Sequence, residues 1–126
     1  MTNTPSLVAI LEAGADPALA PACRAAGYEA IIVSSMRKGL TEIRKRQPQV
    51  VVAEFIYNAN FPNRISNFET LFAGLQKDCP AAHLVALLYP EDRPQLERLR
   101  ERFPLHATLT YPLDSAALQQ VLQTVH

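Results

Sequence analysis

Several features that mark common classes of protein are scarce or missing in this chain of 126 residues. Its longest purely apolar runs are only a few residues, which is too short to cross a bilayer, and its first residues lack the basic and apolar regions of a signal peptide. Its 12 basic and 12 acidic side chains balance, so no overall field attracts nucleic acid or an anionic membrane. We therefore expect a cytoplasmic protein with neither a membrane nor a nucleic acid as partner.

Residues that commonly hold metals are also sparse. The two cysteines, Cys23 and Cys79, lie far apart and form no zinc or redox motif, so we interpret them as buried small hydrophobic residues. The three histidines, His83, His106 and His126, show no metal-ligand spacing. We expect no metal site and no cofactor.

What is present suits one compact domain spanning residues 1–126, because 48% of the residues are hydrophobic. Short apolar runs alternate with amphipathic stretches along the chain. Such an alternation is typical of a parallel sheet covered by helices on both faces, so we predict an α/β, (βα)5 flavodoxin-like three-layer sandwich with strand order 2-1-3-4-5. The predicted strands are Leu7–Leu11, Tyr28–Val33, Val50–Ala53, Leu84–Leu88 and Ala107–Thr110.

Capping residues, prolines and a glycine predict where the helices begin and end. Pro21 lies one turn into the first helix and predicts a late start or a kink there. The predicted boundaries are Asp16-Pro17 and Gly27 for the first helix, Ser34 or Ser35 at the start of the second, the capping box Ser66-Asn67-Phe68-Glu69 for the third, Glu91–Phe103 for the fourth, and Asp114 at the start of the fifth.

Three segments resemble the response regulator receiver domain, the phospho-acceptor module of two-component signalling. Pro48–Glu54, with the sequence PQVVVAE, resembles the family's Pro-Asp followed by four apolar residues and the phosphorylated aspartate. Thr110–Asp114 resembles the family's Lys-Pro segment before the last helix, and Gly27-Tyr28 resembles its link into the second strand. The resemblance covers nearly the whole chain and implies signalling through protein partners.

The sequence departs from that family at the positions that carry its chemistry. Glu54 replaces the phosphorylated aspartate, and Glu12 is what remains of the acidic pair that binds magnesium. Leu88 replaces a threonine or serine, and Tyr111, before Pro112, replaces a lysine. Phosphoryl transfer needs a hydroxyl and a cation, which Leu88 and Tyr111 do not supply. The resemblance therefore implies a degenerate receiver-like module that is not an enzyme and acts by protein contact.

Three interpretations of Glu54 stay open. Its carboxylate can stand in for an aspartyl phosphate and hold one signalling conformation. It can be a remnant at a solvent-open strand end, bonded to backbone N–H groups or to a basic residue such as Arg64. It can also pair with Glu12 for acid–base or metal chemistry, although the motif places no histidine, lysine or nucleophile beside them.

Several surfaces are candidates for contact with partners. The first is the loop after the third strand, which either binds a partner or packs over the strand ends; its candidate residues are Phe55, Tyr57, Asn58, Asn60 and Phe61. The resemblance implies a homodimer surface on helix 4, strand 5 and helix 5, and the second helix offers a basic face to an acidic partner. Because the chain ends just after its last helix, we expect no output domain.

Two alternatives from other classes remain. One is a small-molecule-binding protein or enzyme that uses the crevice at the carboxyl ends of strands 1 and 3, with the side chains Glu12, Glu54, Tyr57, Tyr89 and Tyr111. The other is a receiver that is still phosphorylated.

The Tyr111-Pro112 bond is expected to be cis, as the resemblance also implies.

Overall fold

A computed structural model describes residues 4–12, 17–56, 67–101 and 104–125. Within these ranges five strands alternate with five helices, as predicted. In chain order they are β1 (Ser6–Ile10), α1 (Leu19–Ala25), β2 (Glu29–Val33), α2 (Met36–Arg46), β3 (Val50–Glu54), α3 (Asn67–Asp78), β4 (His83–Leu88), α4 (Arg93–Arg100), β5 (Ala107–Thr110) and α5 (Ser115–Gln123).

The five strands form one parallel sheet in the order β2-β1-β3-β4-β5, which confirms the predicted flavodoxin-like topology. Ile10 of β1 pairs with Ala53 of β3, and Glu54, the next residue, pairs with Leu87 of β4. The carboxyl ends of the three central strands therefore meet at one edge of the sheet. This edge is where ligands bind in folds of this class.

Helices cover both faces of the sheet, with α1 and α5 on one side and α2, α3 and α4 on the other. Alternate residues of the central strands point into the two hydrophobic clusters, because successive side chains of a strand face opposite ways. The strand residues of the first cluster are Val8, Ile10, Val51, Ala53, Leu84, Ala86 and Leu88. Those of the second, on the side of α1 and α5, are Leu7, Ala9, Val50, Val52, Val85 and Leu87.

Local signals set most helix boundaries. Gly27 adopts the left-handed backbone conformation, with φ of 91°, just after α1, where a side chain would be strained. The Ser35 hydroxyl accepts a hydrogen bond from the Lys38 N–H at the start of α2, and Asp114 accepts one from the Ala116 N–H at the start of α5. These three boundaries confirm the predictions from sequence.

The first helix starts late, at Leu19, so that Pro21 falls in its first turn, where a missing N–H leaves no hydrogen bond unmade. The predicted helix Glu91–Phe103 is too long. Pro90–Asp92 instead form a turn of 3-10 helix, closed by a hydrogen bond from the Asp92 N–H to the Tyr89 carbonyl, and α4 begins only after it. The predicted caps Asp16 and Ser66 lie outside the described residues.

Both cysteines are buried and free, as expected. Cys23 is fully enclosed in the cluster between α1, α5 and the sheet. Burial raises the pKa of the Cys23 thiol to about 11 and also raises the pKa of Cys79. In the part of the chain that the structure describes, no helix has the length and hydropathy needed to span a membrane.

The raised pKa of Cys23 predicts slow alkylation of the native protein. At about pH 8.5 its reactive thiolate should be roughly a hundredfold scarcer than in the unfolded chain, because the pKa rises by about two units. The rate of iodoacetamide labelling at Cys23, followed by peptide mass mapping, should keep rising towards pH 11 in the native protein. In urea it should level off above about pH 9. Equal rates in both states would contradict this burial.

A second prediction concerns the contact of α2 with the sheet. A Cβ at Gly39 would overlap the side chain of Ile10, which is fully buried. We expect Gly39→Ala to lower the free energy of unfolding by about 1–3 kcal/mol, even though alanine is the better helix former. Urea denaturation measures this. In the control Gly74→Ala, the new Cβ meets only the end of the partly exposed Leu40 side chain at 2.5 Å, so the loss should be smaller.

Candidate functional site

The candidate site lies where β3 leaves the sheet. The strand is buried along its whole length, and it ends in Glu54, whose exposed fraction is 5%. Among the described residues Glu54 is the one charged side chain that is buried. Its strand end is thus closed to solvent, which contradicts the solvent-open environment of the second interpretation, while Arg64, the basic partner suggested there, lies outside the described residues.

Tyr111 holds the Glu54 carboxylate. The Tyr111 hydroxyl donates a hydrogen bond of 2.7 Å to Glu54 Oε2, across 57 positions of sequence. Tyr111 directly follows β5 and is fixed there by a backbone hydrogen bond of 2.9 Å from its N–H to the Leu88 carbonyl. The Tyr111-Pro112 bond is cis, as predicted. The carboxylate thus has a neutral partner where the resemblance implied a lysine.

A second tyrosine lies over the first. The ring of Tyr89 packs against that of Tyr111 with centroids 4.9 Å apart and planes tilted by 37°. Tyr89 is 52% exposed, whereas Tyr111 is partly buried. The inner tyrosine therefore serves the carboxylate, while the outer one presents an aromatic surface to solvent beside the site.

Asn67 binds the backbone next to the Glu54 side chain, a role that the sequence did not predict. Its Nδ2 donates a hydrogen bond of 2.6 Å to the backbone carbonyl of Glu54, and its Oδ1 accepts one of 2.7 Å from the Ile56 N–H. One side chain at the start of α3 thus satisfies two backbone groups beyond the end of β3. The signal for it was an asparagine at the predicted start of a helix, which sequence analysis had assigned to capping alone.

Glu12 is bonded to the start of α2. It is exposed, and its Oε1 accepts a hydrogen bond of 3.2 Å from the Met36 N–H at the first turn of α2. A carboxylate there is favoured by the unpaired N–H groups and the helix dipole. The role of Glu12 in this structure is therefore to cap a helix.

Magnesium does not fit the described side chains of this site. Glu54 already accepts the Tyr111 hydroxyl, Glu12 is engaged at α2, and Leu88 is a buried core residue that offers no hydroxyl. In the part of the chain that the structure describes, no group of three or more histidine, cysteine, aspartate or glutamate residues could hold a metal ion. We derive no phosphoryl-transfer step from this arrangement.

The loop after β3 is described only at its beginning. Phe55 is 3% exposed and packs edge-to-face on Phe68 of α3, with ring centroids 5.3 Å apart, which agrees with the packing alternative for this residue. Burial of a large aromatic ring is favoured because α3 supplies aromatic neighbours. Ile56, the next residue, is 37% exposed. The other predicted contact residues, Tyr57, Asn58, Asn60 and Phe61, lie outside the described residues.

Comparison with known proteins bears on the fold. No protein-family model matches the sequence, and no curated protein matches it. Among solved structures, the chemotaxis protein CheY4 of Vibrio cholerae is similar with a TM-score of 0.76 and 17% identity, covering 98% of this chain and 100% of that one. A response regulator from Thermotoga maritima has a TM-score of 0.73 and 14% identity, with 98% of each chain covered.

The chain has the fold of a response regulator receiver domain. The resemblance seen in its sequence is thereby confirmed at the level of fold. The pilus assembly protein CpaE from Caulobacter crescentus is also similar, with a TM-score of 0.64 and 18% identity over 98% of this chain and 94% of that one. In this fold Glu54 and Leu88 are the last residues of β3 and β4, and Tyr111 is the first residue after β5.

Removing the Tyr111 hydroxyl should destabilise the domain. Tyr111→Phe takes the donor from a carboxylate that is 5% exposed, and we expect a loss of about 1–3 kcal/mol in the free energy of unfolding. Tyr89→Phe is the matched control, since the Tyr89 hydroxyl makes no hydrogen bond to any described residue. Urea denaturation of both variants checks this. A Tyr111→Phe protein as stable as the Tyr89→Phe protein would show that the bond contributes nothing.

Proposed function

We propose that this chain is an atypical receiver-like signalling module that acts by protein–protein contact and is not phosphorylated. The observation that carries the proposal is the hydrogen bond between the Tyr111 hydroxyl and the Glu54 carboxylate. It joins the position that resembles the phospho-acceptor to the position that resembles the family's lysine. The side chains at both positions are therefore engaged in a hydrogen bond with each other.

Phosphoryl transfer is disfavoured by charge and by access. A transferred phosphoryl group carries negative charge, which magnesium and a cationic side chain must offset. Tyr111 is neutral at pH 7 and Leu88 has no hydrogen-bond donor. The Glu54 carboxylate is also 5% exposed, so a small phosphodonor has little access to it. These features support a role in which the site is structural.

A fixed conformation follows from this site. Receiver-like signalling by phosphorylation requires two states, whereas a permanent carboxylate bonded to Tyr111 favours one. Glu54 has one negative charge at most, less than the roughly 1.5 to 2 charges of an aspartyl phosphate. We therefore propose that the Glu54–Tyr111 bond sets one signalling conformation, which only partly resembles a phosphorylated state.

The proposal of a small-molecule-binding protein or enzyme has less support. It requires Glu12 and Glu54 to face a shared crevice, but Glu12 caps α2 and the Glu54 carboxylate is buried with a tyrosine. An acid–base pair needs both carboxylates within reach of one substrate. We accordingly propose a non-enzymatic role.

Homodimerisation through α4, β5 and α5 remains a second proposal for the contact. Arg93 and Arg100 lie 3.8 Å and 3.6 Å from Glu97 of the same helix, so these charges already have partners within the chain. Exposed pairs of this kind are weak and can exchange with a partner's charges. The compartment we propose for such a module is the cytoplasm.

Labelling with a small phosphodonor tests the proposed function. The native protein, incubated with magnesium and acetyl phosphate, should show no mass increase of one phosphoryl group in intact-mass spectra. Glu54→Asp restores the acceptor but neither the hydroxyl nor the cation, and we expect it to stay unlabelled as well.

The control is Glu54→Gln, which removes the carboxylate and retains its size. Magnesium-dependent labelling of the native protein that disappears in Glu54→Gln would overturn the proposal and restore a phosphorylated receiver. Labelling that persists in Glu54→Gln would show phosphorylation at another residue and would overturn the proposal that the chain is not phosphorylated.

A further inference from the structure

A groove of about 660 Å³ runs between α2 and α3 on the face of the sheet away from α1 and α5. It is open to solvent and combines an apolar floor with basic and hydroxyl-bearing walls. Its lining residues are Met36, Arg37, Leu40, Thr41, Arg44, Asn67 and Thr70.

The charge beside this groove has one sign. Helix α2 has five basic side chains and a single acidic one, Glu42. Glu42 is engaged by Arg46 at 2.6 Å, which leaves the other four cations without an ion pair to any residue that the structure describes. These four are Arg37, Lys38, Arg44 and Lys45, all exposed. A concentration of unpaired cations on a chain with no net charge marks a surface for an anionic group.

The two arginines of the groove are regularly spaced. Arg37 and Arg44 are seven positions apart, which places them on one face of α2 about 10 Å apart along its axis. Leu40, which is partly buried, lies between them along the helix, and Met36, also partly buried, lies next to Arg37. A helical ligand with carboxylates two turns apart and an apolar stripe between them has the complementary pattern.

The groove also borders the candidate site. Asn67, which lines it, holds the Glu54 carbonyl and the Ile56 N–H. Met36, at the same end, has its N–H bonded to Glu12. A ligand in the groove would therefore touch residues that bond the backbone carbonyl of Glu54 and the carboxylate of Glu12.

We propose that the α2–α3 groove docks an acidic amphipathic segment of a partner protein. This inference rests on the proposed function, whose partner surface it specifies. Carboxylates of the segment bind Arg37 and Arg44, where the guanidinium groups can form paired hydrogen bonds, and its apolar side chains cover Met36 and Leu40.

Two other occupants fit less well. A nucleic acid would meet an apolar floor between the arginines, and the chain has no overall positive charge to attract it. A second copy of this chain could offer α4, but that helix has three arginines and a single glutamate, Glu97, so its charge repels the cations of α2. An acidic protein segment meets both the charge and the apolar floor.

Binding of a designed peptide tests the proposal. The probe is a fluorescently labelled amphipathic helix with a leucine stripe flanked by two glutamates about two helical turns apart. Fluorescence anisotropy at low salt should show saturable binding to the native protein, and replacement of both glutamates by glutamine should weaken binding at least about tenfold. The double variant R37E/R44E should lose binding by a similar factor.

The matched control is K38E/K45E. It makes the same change in charge at the same spacing on the same helix, one residue away from each arginine of the groove. Binding to it should weaken clearly less than binding to R37E/R44E, because exposed charges outside the contact contribute little. Equal losses of peptide affinity in the two double variants would overturn the proposal of docking in the groove, since they would indicate diffuse electrostatic attraction to α2.

A steric pair and a polyanion complete the test. Thr70→Trp fills the groove from α3 and should abolish peptide binding, whereas Ala73→Trp, exposed on the same helix but outside the groove, should not. Tighter binding of a single-stranded oligonucleotide than of the peptide would overturn the assignment to a protein partner. If the peptide fails to bind and the protein also shows no phosphoryl labelling, the groove is not the docking site, while the proposed function still holds.

Discussion

The structure depends on a central strand that is buried on both faces and ends in a carboxylate. Every residue of β3 is covered by helices, and the strand continues into Glu54 without reaching solvent. A carboxylate in such a place costs several kcal/mol unless hydrogen bonds replace its water. Tyr111 supplies one of them, and the end of β5 is thereby tied to the end of β3 across β4.

The neighbours of Glu54 suit this structural task. Asn67 fixes the backbone beyond β3, Phe55 turns back into the aromatic cluster with Phe68, and Leu88 fills the core beside them. Each of these side chains supports packing or satisfies a backbone group.

The sequence was a good guide wherever a structural feature has a local cause. The glycine after α1, the serine before α2 and the aspartate before α5 mark helix ends because each acts on backbone groups within a few residues. The apolar runs predicted the sheet because strands buried on both faces cannot alternate with polar residues. The predicted start of α4 was wrong, because the 3-10 turn after Tyr89 and an α-helix have similar sequence preferences.

The sequence by itself determined the (βα)5 architecture, the order of the sheet and the position of Glu54 at the end of its central strand. Only the tertiary structure decided what surrounds that carboxylate. The hydrogen bond of Glu54 to Tyr111 spans 57 positions of sequence, and that of Glu12 to the start of α2 spans 24. The burial of Glu54 likewise depends on residues that are distant in sequence. Pairings over such distances depend on how strands and helices pack in three dimensions, and local sequence patterns do not record that packing.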